Sequence, residues 1–385
     1  MSARRAHDDC NTNNGYNMID EQRLIDTFFE LVRIDSPSFS ENDVAEHLRP
    51  VLEELGLSIT MDNAGDACGG NCGNLIAHFK GNTKGEAIAF SAHMDCVPPC
   101  LGVEPVMDDG IIRSKGDTIL GGDDKAGIAA IIEAIRHLIE NEISHPDIYV
   151  VFSIAEESGM HGAKNLDLKK VPAKRFAILD CSGPVGTIIT RSPAKIDITA
   201  TFTGRAAHAG FEPEKGVSAI NMAADAILRM KLLRVDEDTT ANVGSIQGGS
   251  AINIVPESCS FHAETRSYDP EKLQAQVDHM KECCRTAADN YGGEVSLETD
   301  QLYPALNVPQ DSAMLQEAIS ACESLGVKPS LESSGGGSDA NILAGRGIDV
   351  INLGIGMTSA HTTDEHIAVE DLIGSAMLVA ELMKS

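Results

Sequence analysis

Two adjacent carboxylates, Glu156 and Glu157, follow an apolar stretch of the chain that runs from Ile148 to Ile154. A stretch of this length, rich in β-branched residues, is typical of a strand that is covered on both faces in a parallel α/β sheet. Neighbouring residues of an extended chain point in opposite directions, so one carboxylate could bind a cation while the other accepts a proton. For a lone pair of this kind, a solvated acidic turn is the simpler interpretation.

Further ligand-type side chains end two other predicted strands. His93 and Asp95 follow the run Ala87–Ser91, and Asp180 follows the run Arg175–Leu179. Ligands of open α/β sheets bind beyond the carboxyl ends of the strands, so we expect these side chains to converge. Three such endings favour one site over three unrelated turns. Because His93 and Asp95 are two residues apart on an extended end, the carboxylate can hold the imidazole ring.

Asp123 lies in a glycine-rich stretch, Lys115–Gly127, that follows a turn-rich segment and precedes a strongly apolar helix. Glycines let the backbone approach a ligand closely, and a helix start offers unpaired amides. The stretch does not match a phosphate-binding loop, because it lacks the Gly-x4-Gly-Lys-Ser/Thr order. Acidic residues in this position are also common as helix N-caps, which is the alternative interpretation of Asp123 and Asp124.

The order of the predicted elements indicates two domains. Helices and apolar strands alternate up to residue 192 and resume after residue 303, which predicts an α/β domain, made of residues 19–192 and 304–385, with a mixed, mostly parallel sheet between helices. Residues 193–303 instead have the order strand–helix–strand–strand–helix–strand, which predicts an inserted α+β, ferredoxin-like domain. Residues 1–18 are polar, and we expect them to be disordered or poorly ordered.

The composition argues against several classes of function. The chain of 385 residues has 58 acidic and 30 basic residues, a formal net charge of −28, 4% aromatic residues and no tryptophan. This balance disfavours nucleic acid as a partner, because nucleic-acid binding needs basic and stacking side chains. We also expect no membrane association and a cytoplasmic location, because residues 1–17 lack the apolar core of a signal peptide and no apolar run is long enough to span a bilayer.

The motifs, taken in order, resemble those of a known family. The strings HMD, GGDDK, AEESG, GxxxHAG, GGxxxNIVP and GGGSDAN, together with a strand that ends in Asp and a late His, occur between Ile19 and the C-terminus. This order resembles the zinc-dependent metallopeptidase family of peptidase T, aminoacylase and glutamate carboxypeptidase, and it is most similar to the peptidase T branch. The resemblance implies a catalytic domain with an inserted lid and dimerisation domain.

The resemblance also implies roles for individual residues. Two Zn²⁺ ions, with Co²⁺ or Mn²⁺ as substitutes, would be bound by His93 and Asp180 on one ion, Glu157 and His361 on the other, and Asp123 on both. The catalytic residues would be Glu156 as general base towards a metal-bridged water, Asp95, which orients His93, and His208, which steadies the oxyanion. Asn253 and Arg266 would bind substrate. The amides of Gly336 and Gly337, at the start of a short predicted helix, could bind a substrate carboxylate weakly.

The implied activity is hydrolysis of amide bonds in short peptides by an aminopeptidase or tripeptidase that forms a homodimer through the inserted domain. Peptidase T carries an Arg just before its glycine pair, whereas Gly335 stands there in this chain. A cation in that place would clamp the carboxylate of a peptide, so we do not expect strict tripeptide specificity. The alternatives are an N-acyl amino acid deacylase of the same family and a binding protein that has lost the chemistry.

Overall fold

The structure of the protein is a computed structural model that describes residues 19–384. The prediction that residues 1–18 are disordered or poorly ordered lies outside the described residues. Among the helices of residues 19–384, none is long and apolar enough to cross a membrane.

Ten α-helices occur in the described part of the chain. They are α1 (Glu21–Val32), α2 (Asn42–Glu54), α3 (Ala64–Cys68), α4 (Gly122–Glu140), α5 (His161–Asn165), α6 (Ala219–Arg229), α7 (Pro270–Tyr291), α8 (Ala313–Ser324), α9 (Asp339–Gly345) and α10 (Val369–Leu382). Local sequence determines several of their ends. The side chains of Asp20, Ser218 and Asp269 accept hydrogen bonds from first-turn amides of α1, α6 and α7, and Gly292 ends α7 in the left-handed conformation.

The strands of the described residues form four sheets. They are β1 (Ser58–Met61), β2 (Leu75–Phe79), β3 (Ile88–His93), β4 (Pro105–Asp108), β5 (Ile111–Ser114), β6 (Ile148–Ser153), β7 (Arg175–Cys181), β8 (Thr187–Ser192), β9 (Ala194–Thr203), β10 (Ala207–His208), β11 (Leu233–Arg234), β12 (Thr239–Gly248), β13 (Ile254–Val255), β14 (Ser258–Ser267), β15 (Glu294–Tyr303), β16 (Leu306–Asn307), β17 (Ser330–Ser333), β18 (Asp349–Gly354), β19 (Met357–Thr358) and β20 (His366–Ala368). The two-stranded sheet pairs β10 with β13.

The largest sheet, called the main sheet here, has nine strands. Their order is β1-β2-β6-β3-β7-β18-β8-β16, and β17 pairs with β8. The central strands β6, β3, β7 and β18 are parallel to one another. Antiparallel pairs flank them, namely β1 with β2, β2 with β6, β18 with β8, and β16 with β8. The main sheet is therefore mixed with a parallel centre, which confirms the predicted fold class.

Helices cover both faces of the main sheet. On one face, Ile88, Phe90 and Val150 belong to a large buried cluster with residues of α1, α2, α4 and α10. On the other face, Ala89 and Val151 belong to a second cluster that includes residues of α9. Because both faces are buried, these strands are largely apolar on both sides, with exceptions such as Ser91, instead of alternating between apolar and polar residues.

The segment from Ala194 to Tyr303, called the inserted segment here, folds around a second sheet. This sheet has the order β11-β12-β14-β9-β15, and α6 and α7 pack on it around Phe202, Phe261 and Met280. The four long strands of the segment are β9, β12, β14 and β15 in chain order, and they lie in the spatial order β12-β14-β9-β15. Helix α6 follows β9 in the chain, and α7 follows β14. This is the ferredoxin-like arrangement that the sequence predicts.

One small sheet differs from the expectation. Residues 105–114, which lie in the segment predicted to be turn-rich, form the hairpin of β4 and β5, and β20 pairs with β5 and with β19 to complete four strands. These strands are too short for a recognisable periodicity in the sequence. Since β19 and β20 flank the loop that carries His361, this sheet holds the loop against the rest of the fold.

Candidate metal centre and active site

Three neighbouring strands bring ligand-type side chains to one edge of the main sheet. β3 ends at His93, which pairs in the parallel ladder with Ser153, the last residue of β6. The chain then leaves β6 and reaches Glu156 and Glu157 within four residues. The next strand, β7, carries Asp180 near its carboxyl end. The structure thus brings these side chains together across three separate parts of the sequence.

Asp123 lies between two histidines. Its Oδ1 is 3.0 Å from Nε2 of His93, and its Oδ2 is 3.2 Å from Nε2 of His361. Nε2 of His93 is also 3.9 Å from Oδ1 of Asp180, and Nε2 of His361 is 2.9 Å from Oε1 of Glu157. The five side chains therefore form two groups, each able to hold a metal ion, that share Asp123.

The orientation of His93 fits a cation at the first group. Nδ1 of His93 lies 2.9 Å from the backbone carbonyl oxygen of Asp95, so that nitrogen donates to the carbonyl and Nε2 faces Asp123 and Asp180. A neutral imidazole presents an unshared electron pair at Nε2 in this tautomer. Although burial opposes it, the hydrogen bonds with Asp123 and Asp95 raise the pKa of His93 well above its ordinary value, so a positive charge at Nε2 is favourable. A metal ion bound at Nε2 can supply that charge in place of the ring proton, so this geometry suits a metal ligand.

The second group also fits a cation. Oε1 of Glu157 is buried and accepts no hydrogen bond of good geometry within residues 19–384, although His361 lies close by. Burial raises the pKa of Glu157, and burial with the charge of Glu156 raises the pKa of Asp180 well above its ordinary value. Crowded buried carboxylates of this kind need a counter-charge. Imidazole and carboxylate are ligands that Zn²⁺, Co²⁺ and Mn²⁺ accept.

Glu156 lies beside both groups: its carboxylate also forms a third set with His93 and Glu157, in which the ligand atoms lie within 4.8 Å of one another, and it lines the same cavity. Burial raises the pKa of Glu156 well above its ordinary value, and the charges of Asp339 and Glu157 contribute in the same direction. A raised pKa makes a carboxylate a stronger proton acceptor than an ordinary glutamate, which suits a general base and acid. Glu156 therefore has the environment of a proton-transfer group, whereas Glu157 lies against His361.

Asp95 holds the backbone of the Glu pair as well as the imidazole ring. Its Oδ1 accepts a hydrogen bond from the amide of Glu156 at 3.0 Å and lies 3.3 Å from Nδ1 of His93. Its Oδ2 accepts from the amide of Glu157 at 3.2 Å and from the hydroxyl of Ser38 at 2.7 Å. One fully buried carboxylate therefore links the turn after β6 to the end of β3.

Glu41, which the sequence analysis did not single out, supports the same turn. Its Oε1 accepts hydrogen bonds from the amides of Phe39 at 2.8 Å and Ala155 at 2.9 Å, and its side chain is fully buried. Ala155 directly precedes Glu156 and has a φ of +46°, a conformation that non-glycine residues rarely adopt. The sequence signal was weak, because an acidic residue before a helix is usually only an N-cap.

The metal-type ligands open into a cavity of about 460 Å³. Its charged lining side chains within the described chain are Asp123, Glu156, Glu157, Asp180, Glu332 and His361. No Lys or Arg among residues 19–384 lines it. The cavity is therefore strongly acidic, which favours a substrate group that carries positive charge.

The predicted substrate-binding glycines lie at the wall of this cavity. Gly336 and Gly337 both line it, and a Cβ added to Gly337 would lie 2.4 Å from the ring of Tyr303. Ser338, which follows them, is joined to the metal-type ligands through Asn352. The side-chain nitrogen of Asn352 donates to the hydroxyl of Ser338 and to the backbone carbonyl of Asp180, at 3.1 and 2.7 Å.

Two predicted site residues of the inserted segment do not reach the cavity. His208 is exposed, and its Nδ1 accepts hydrogen bonds from the amides of Gly210 at 3.1 Å and Phe211 at 3.2 Å. Asn253 is exposed as well, and its backbone carbonyl accepts a hydrogen bond from the amide of Ala209 at 2.9 Å. Within the described residues of one chain, neither side chain lines the cavity.

Arg266, the third predicted site residue of the inserted segment, lies close to the glycine run without lining the cavity described above. Its Nε and Nη2 donate to the two carboxylate oxygens of Glu264, at 3.0 and 3.1 Å. Its Nη1 donates to the backbone carbonyl of Gly335 at 3.2 Å. Tyr268 adds a second link, because its hydroxyl donates to the carbonyl of Ser334 at 2.9 Å.

A mixed α/β fold with an inserted ferredoxin-like segment and a cluster of five metal-type ligands defines a metallohydrolase-like architecture. The model of Peptidase family M20/M25/M40 matches residues 89–385, and the chain belongs to this family. The protein is therefore a peptidase, which confirms the predicted enzyme class.

The relatives cover almost the whole chain. An uncharacterized protein, YqjE of Bacillus subtilis, is 41% identical over 95% of this chain and 99% of its own length. The crystal structure of aminopeptidase PepT from Bacillus cereus has a TM-score of 0.90 and 42% identity, and it covers 96% of this chain and 99% of its own. A tripeptidase from Staphylococcus aureus has a TM-score of 0.92 and 40% identity, with the same two coverages. The chain is therefore a peptidase T-like member of the family, which confirms the resemblance.

Proposed function

We propose that the protein is a dinuclear metal-dependent exopeptidase that cleaves the amide bonds of short, unblocked peptides. The observation that carries this proposal is the position of Asp123 between His93 and His361, with one carboxylate oxygen facing each histidine. In this proposal His93, Asp180 and Asp123 bind one Zn²⁺ ion, and Asp123, Glu157 and His361 bind the other. Co²⁺ or Mn²⁺ are substitutes, because the same ligand types suit them.

The chain's own residues supply positioning and proton transfer. When bound, a pair of such ions supplies Lewis acidity and lowers the pKa of water towards neutrality. Glu156 accepts the proton of the attacking water and delivers it to the leaving nitrogen, a role supported by its buried position beside both ligand groups. Asp95 supports both steps, because it holds the ring of His93 and the backbone amide of Glu156.

The charge of the cavity supports a free α-amino group as the feature that is recognised. Its lining carboxylates include Glu332, which belongs to neither ligand group, and His361 is its single basic side chain within residues 19–384. The relatives named aminopeptidase and tripeptidase support the same substrate class. We propose that the wall formed by Gly336 and Gly337 binds the other end of the substrate only weakly, because no guanidinium lines that wall in the described chain and the amide of Gly336 already donates to the hydroxyl of Ser334 at 3.1 Å.

We further propose that the active enzyme is a homodimer formed through the inserted segment, and that a second copy delivers His208 to the cavity. The support is that His208 is exposed and does not line the cavity of its own chain, so one chain alone leaves the oxyanion position without this group. Large apolar side chains are also exposed on the inserted segment, among them Phe211, Leu228 and Ile252. Surfaces of this kind favour a protein partner. Closure of the inserted segment onto its own cavity is the other route for His208.

Two measurements test the proposed function. Metal-free protein is reconstituted with Zn²⁺ or Co²⁺, and elemental analysis should find close to two ions per chain. The loaded protein is then assayed on dipeptides, tripeptides, N-terminally blocked peptides and N-acyl amino acids, and we expect turnover of the unblocked peptides.

A stoichiometry below one metal ion per chain contradicts the dinuclear centre. Cleavage of N-acyl amino acids alone supports the deacylase alternative. Metal binding without turnover of any substrate supports the non-catalytic alternative.

A further inference from the structure

We infer that Glu365 is a positioning residue that sets the place of Asp123 between the two ligand groups. The inference rests on the proposed metal centre. Glu365 is 1% exposed, and both of its carboxylate oxygens are engaged. Oε1 accepts a hydrogen bond from the backbone amide of Asp123 at 2.9 Å, and Oε2 accepts from the amide of Gly121 at 2.7 Å.

The backbone around Asp123 needs such an acceptor. Asp123 has φ −80° and ψ 100°, and Asp124 has φ −123° and ψ 28°, so the chain is not helical at these two residues although they stand at the start of α4. A buried amide without a partner costs free energy comparable to a lost hydrogen bond. The carboxylate of Glu365 accepts from the amides of Asp123 and Gly121, 242 and 244 residues away in sequence.

Steric contacts show how closely the carboxylate fits this segment. A Cβ added to Gly122 would lie 3.1 Å from Oε1 of Glu365, which is tighter than ordinary van der Waals contact. Gly122 stands between the two residues whose amides Glu365 binds. The glycine therefore lets the carboxylate approach the backbone on both sides of it, and a methyl group there would push the carboxylate away.

Glu365 also belongs to the loop that carries His361. Its own amide donates to the carbonyl of Thr362 at 3.1 Å, and the hydroxyl of Thr362 donates to the carbonyl of Ser359 at 2.7 Å, so the loop is closed on itself. One side chain thus ties the loop of His361 to the segment of Asp123. The 3.2 Å distance between Nε2 of His361 and Oδ2 of Asp123 depends on this tie.

The substitution Glu365→Gln separates this role from simple space filling. A carboxylate accepts hydrogen bonds with both oxygens, whereas a glutamine amide offers one acceptor and one donor group. In the variant, the side-chain NH₂ would face a backbone N–H, so one of the two amides loses its acceptor while the size of the side chain is unchanged. Asp123 then shifts, and both ions lose part of their shared ligand.

The experiment measures Co²⁺ binding by competition with a chelator, the visible spectrum of the Co²⁺ protein, and the melting temperature with and without metal. We expect Glu365→Gln to bind at least one of the two ions at least tenfold more weakly, to change the Co²⁺ spectrum, and to lose most of the metal-induced rise in melting temperature. Glu370→Gln, which removes an exposed carboxylate from the first turn of α10, is the matched control and should behave as the parent protein.

Gly122→Ala provides a second variant that keeps the Glu365 carboxylate but displaces it. We expect a weaker effect in the same direction, about twofold to fivefold in affinity, and this result decides the question if Glu365→Gln fails to fold. The inference would be overturned if the variants kept the Co²⁺ affinity and the Co²⁺ spectrum of the parent protein and lost the same amount of melting temperature with and without metal. Glu365 would then have only a structural role. If the parent protein itself binds no metal, the proposed function fails and the inference falls with it.

Discussion

The guanidinium of Arg266 lies against the backbone of Gly335, with Nη1 3.2 Å from the carbonyl oxygen. The other nitrogens of this guanidinium are bonded to Glu264, whose Oε2 also lies 3.0 Å from Nζ of Lys195. A substrate carboxylate would have to compete with Glu264 for Arg266. The contact therefore joins the inserted segment to the glycine run, but it does not present a free cation to the cavity.

Because Arg266 is already bonded to Glu264 and Gly335, a new cation near the glycine run should change the substrate length that the enzyme prefers. Introducing Gly335→Arg should sharpen the preference for tripeptides, because a cation just before the glycine pair can clamp the substrate carboxylate. A charged hydrogen bond contributes about 1.5–3 kcal/mol, so the ratio of kcat/KM values for tripeptides over dipeptides should rise roughly tenfold to a hundredfold. The position has room, since a Cβ added to Gly335 meets no heavy atom of the described residues within 4 Å.

The control for this variant is Gly335→Gln, which adds a side chain of similar reach without charge. It should leave the length preference within about twofold of the parent protein. An equal change in both variants would mean that bulk, and not charge, determines the preference. No change in either would mean that the substrate carboxylate binds elsewhere.

The two members of the Glu pair should respond differently to substitution. Glu156→Ala should lower kcat by at least about a hundredfold, the range of general base catalysis, while the protein keeps its full metal content. Glu157→Ala should lose metal as well as activity, because Glu157 lies 2.9 Å from His361 in the second ligand group. Elemental analysis beside steady-state kinetics distinguishes the two. The reverse pattern would exchange the two roles.

The exposed position of His208 predicts complementation between inactive chains. Glu156→Ala and His208→Ala proteins should each be inactive, and a mixture that exchanges subunits should regain part of the activity. Partial recovery is expected because one of the two sites in the mixed dimer then combines an intact Glu156 with an intact His208. Exchange is followed by light scattering or mass spectrometry of tagged chains. Proven exchange without recovery would favour delivery of His208 within one chain.

Asn341 should be the largest single contributor to stability where the inserted segment joins the main sheet. Its side-chain nitrogen donates to the carbonyls of Pro193 and Pro304, at 3.3 and 2.9 Å, and its Oδ1 accepts from the amide of Ser338 and the hydroxyl of Ser192. Asn341→Ala removes the partner of the carbonyls of Pro193 and Pro304 and of the amide of Ser338, whereas the hydroxyl of Ser192 keeps the carbonyl of Gly336. The variant should lower the free energy of unfolding by roughly 2–4 kcal/mol in chemical denaturation.

The exposed Asn307 of β16 provides the matched control for this variant. Asn307→Ala should change the free energy of unfolding by less than about 0.5 kcal/mol, the usual range for surface substitutions. If Asn341→Ala were equally mild, water or a relaxed backbone would be satisfying the carbonyls of Pro193 and Pro304.

The sequence alone was sufficient to predict the fold class and the strand ends that carry ligand-type residues. Largely apolar runs such as Ile148–Ile154 are local signals, since a strand buried on both faces carries apolar residues on both sides. A parallel sheet then brings strand ends together, which is why the sequence predicts His93, Asp180 and the Glu pair at one edge. The short strands β4, β5, β19 and β20 carry no such local signal.

Only the tertiary structure decided which side chains contact each other and which groups form hydrogen bonds. The two oxygens of Asp123 face different histidines, and the amide of Asp123 is held by Glu365, 242 residues away in sequence. It also showed that His208 lies outside the cavity of its own chain. Such contacts depend on the relative placement of distant loops, to within a fraction of an ångström, and no local periodicity or residue spacing encodes that placement.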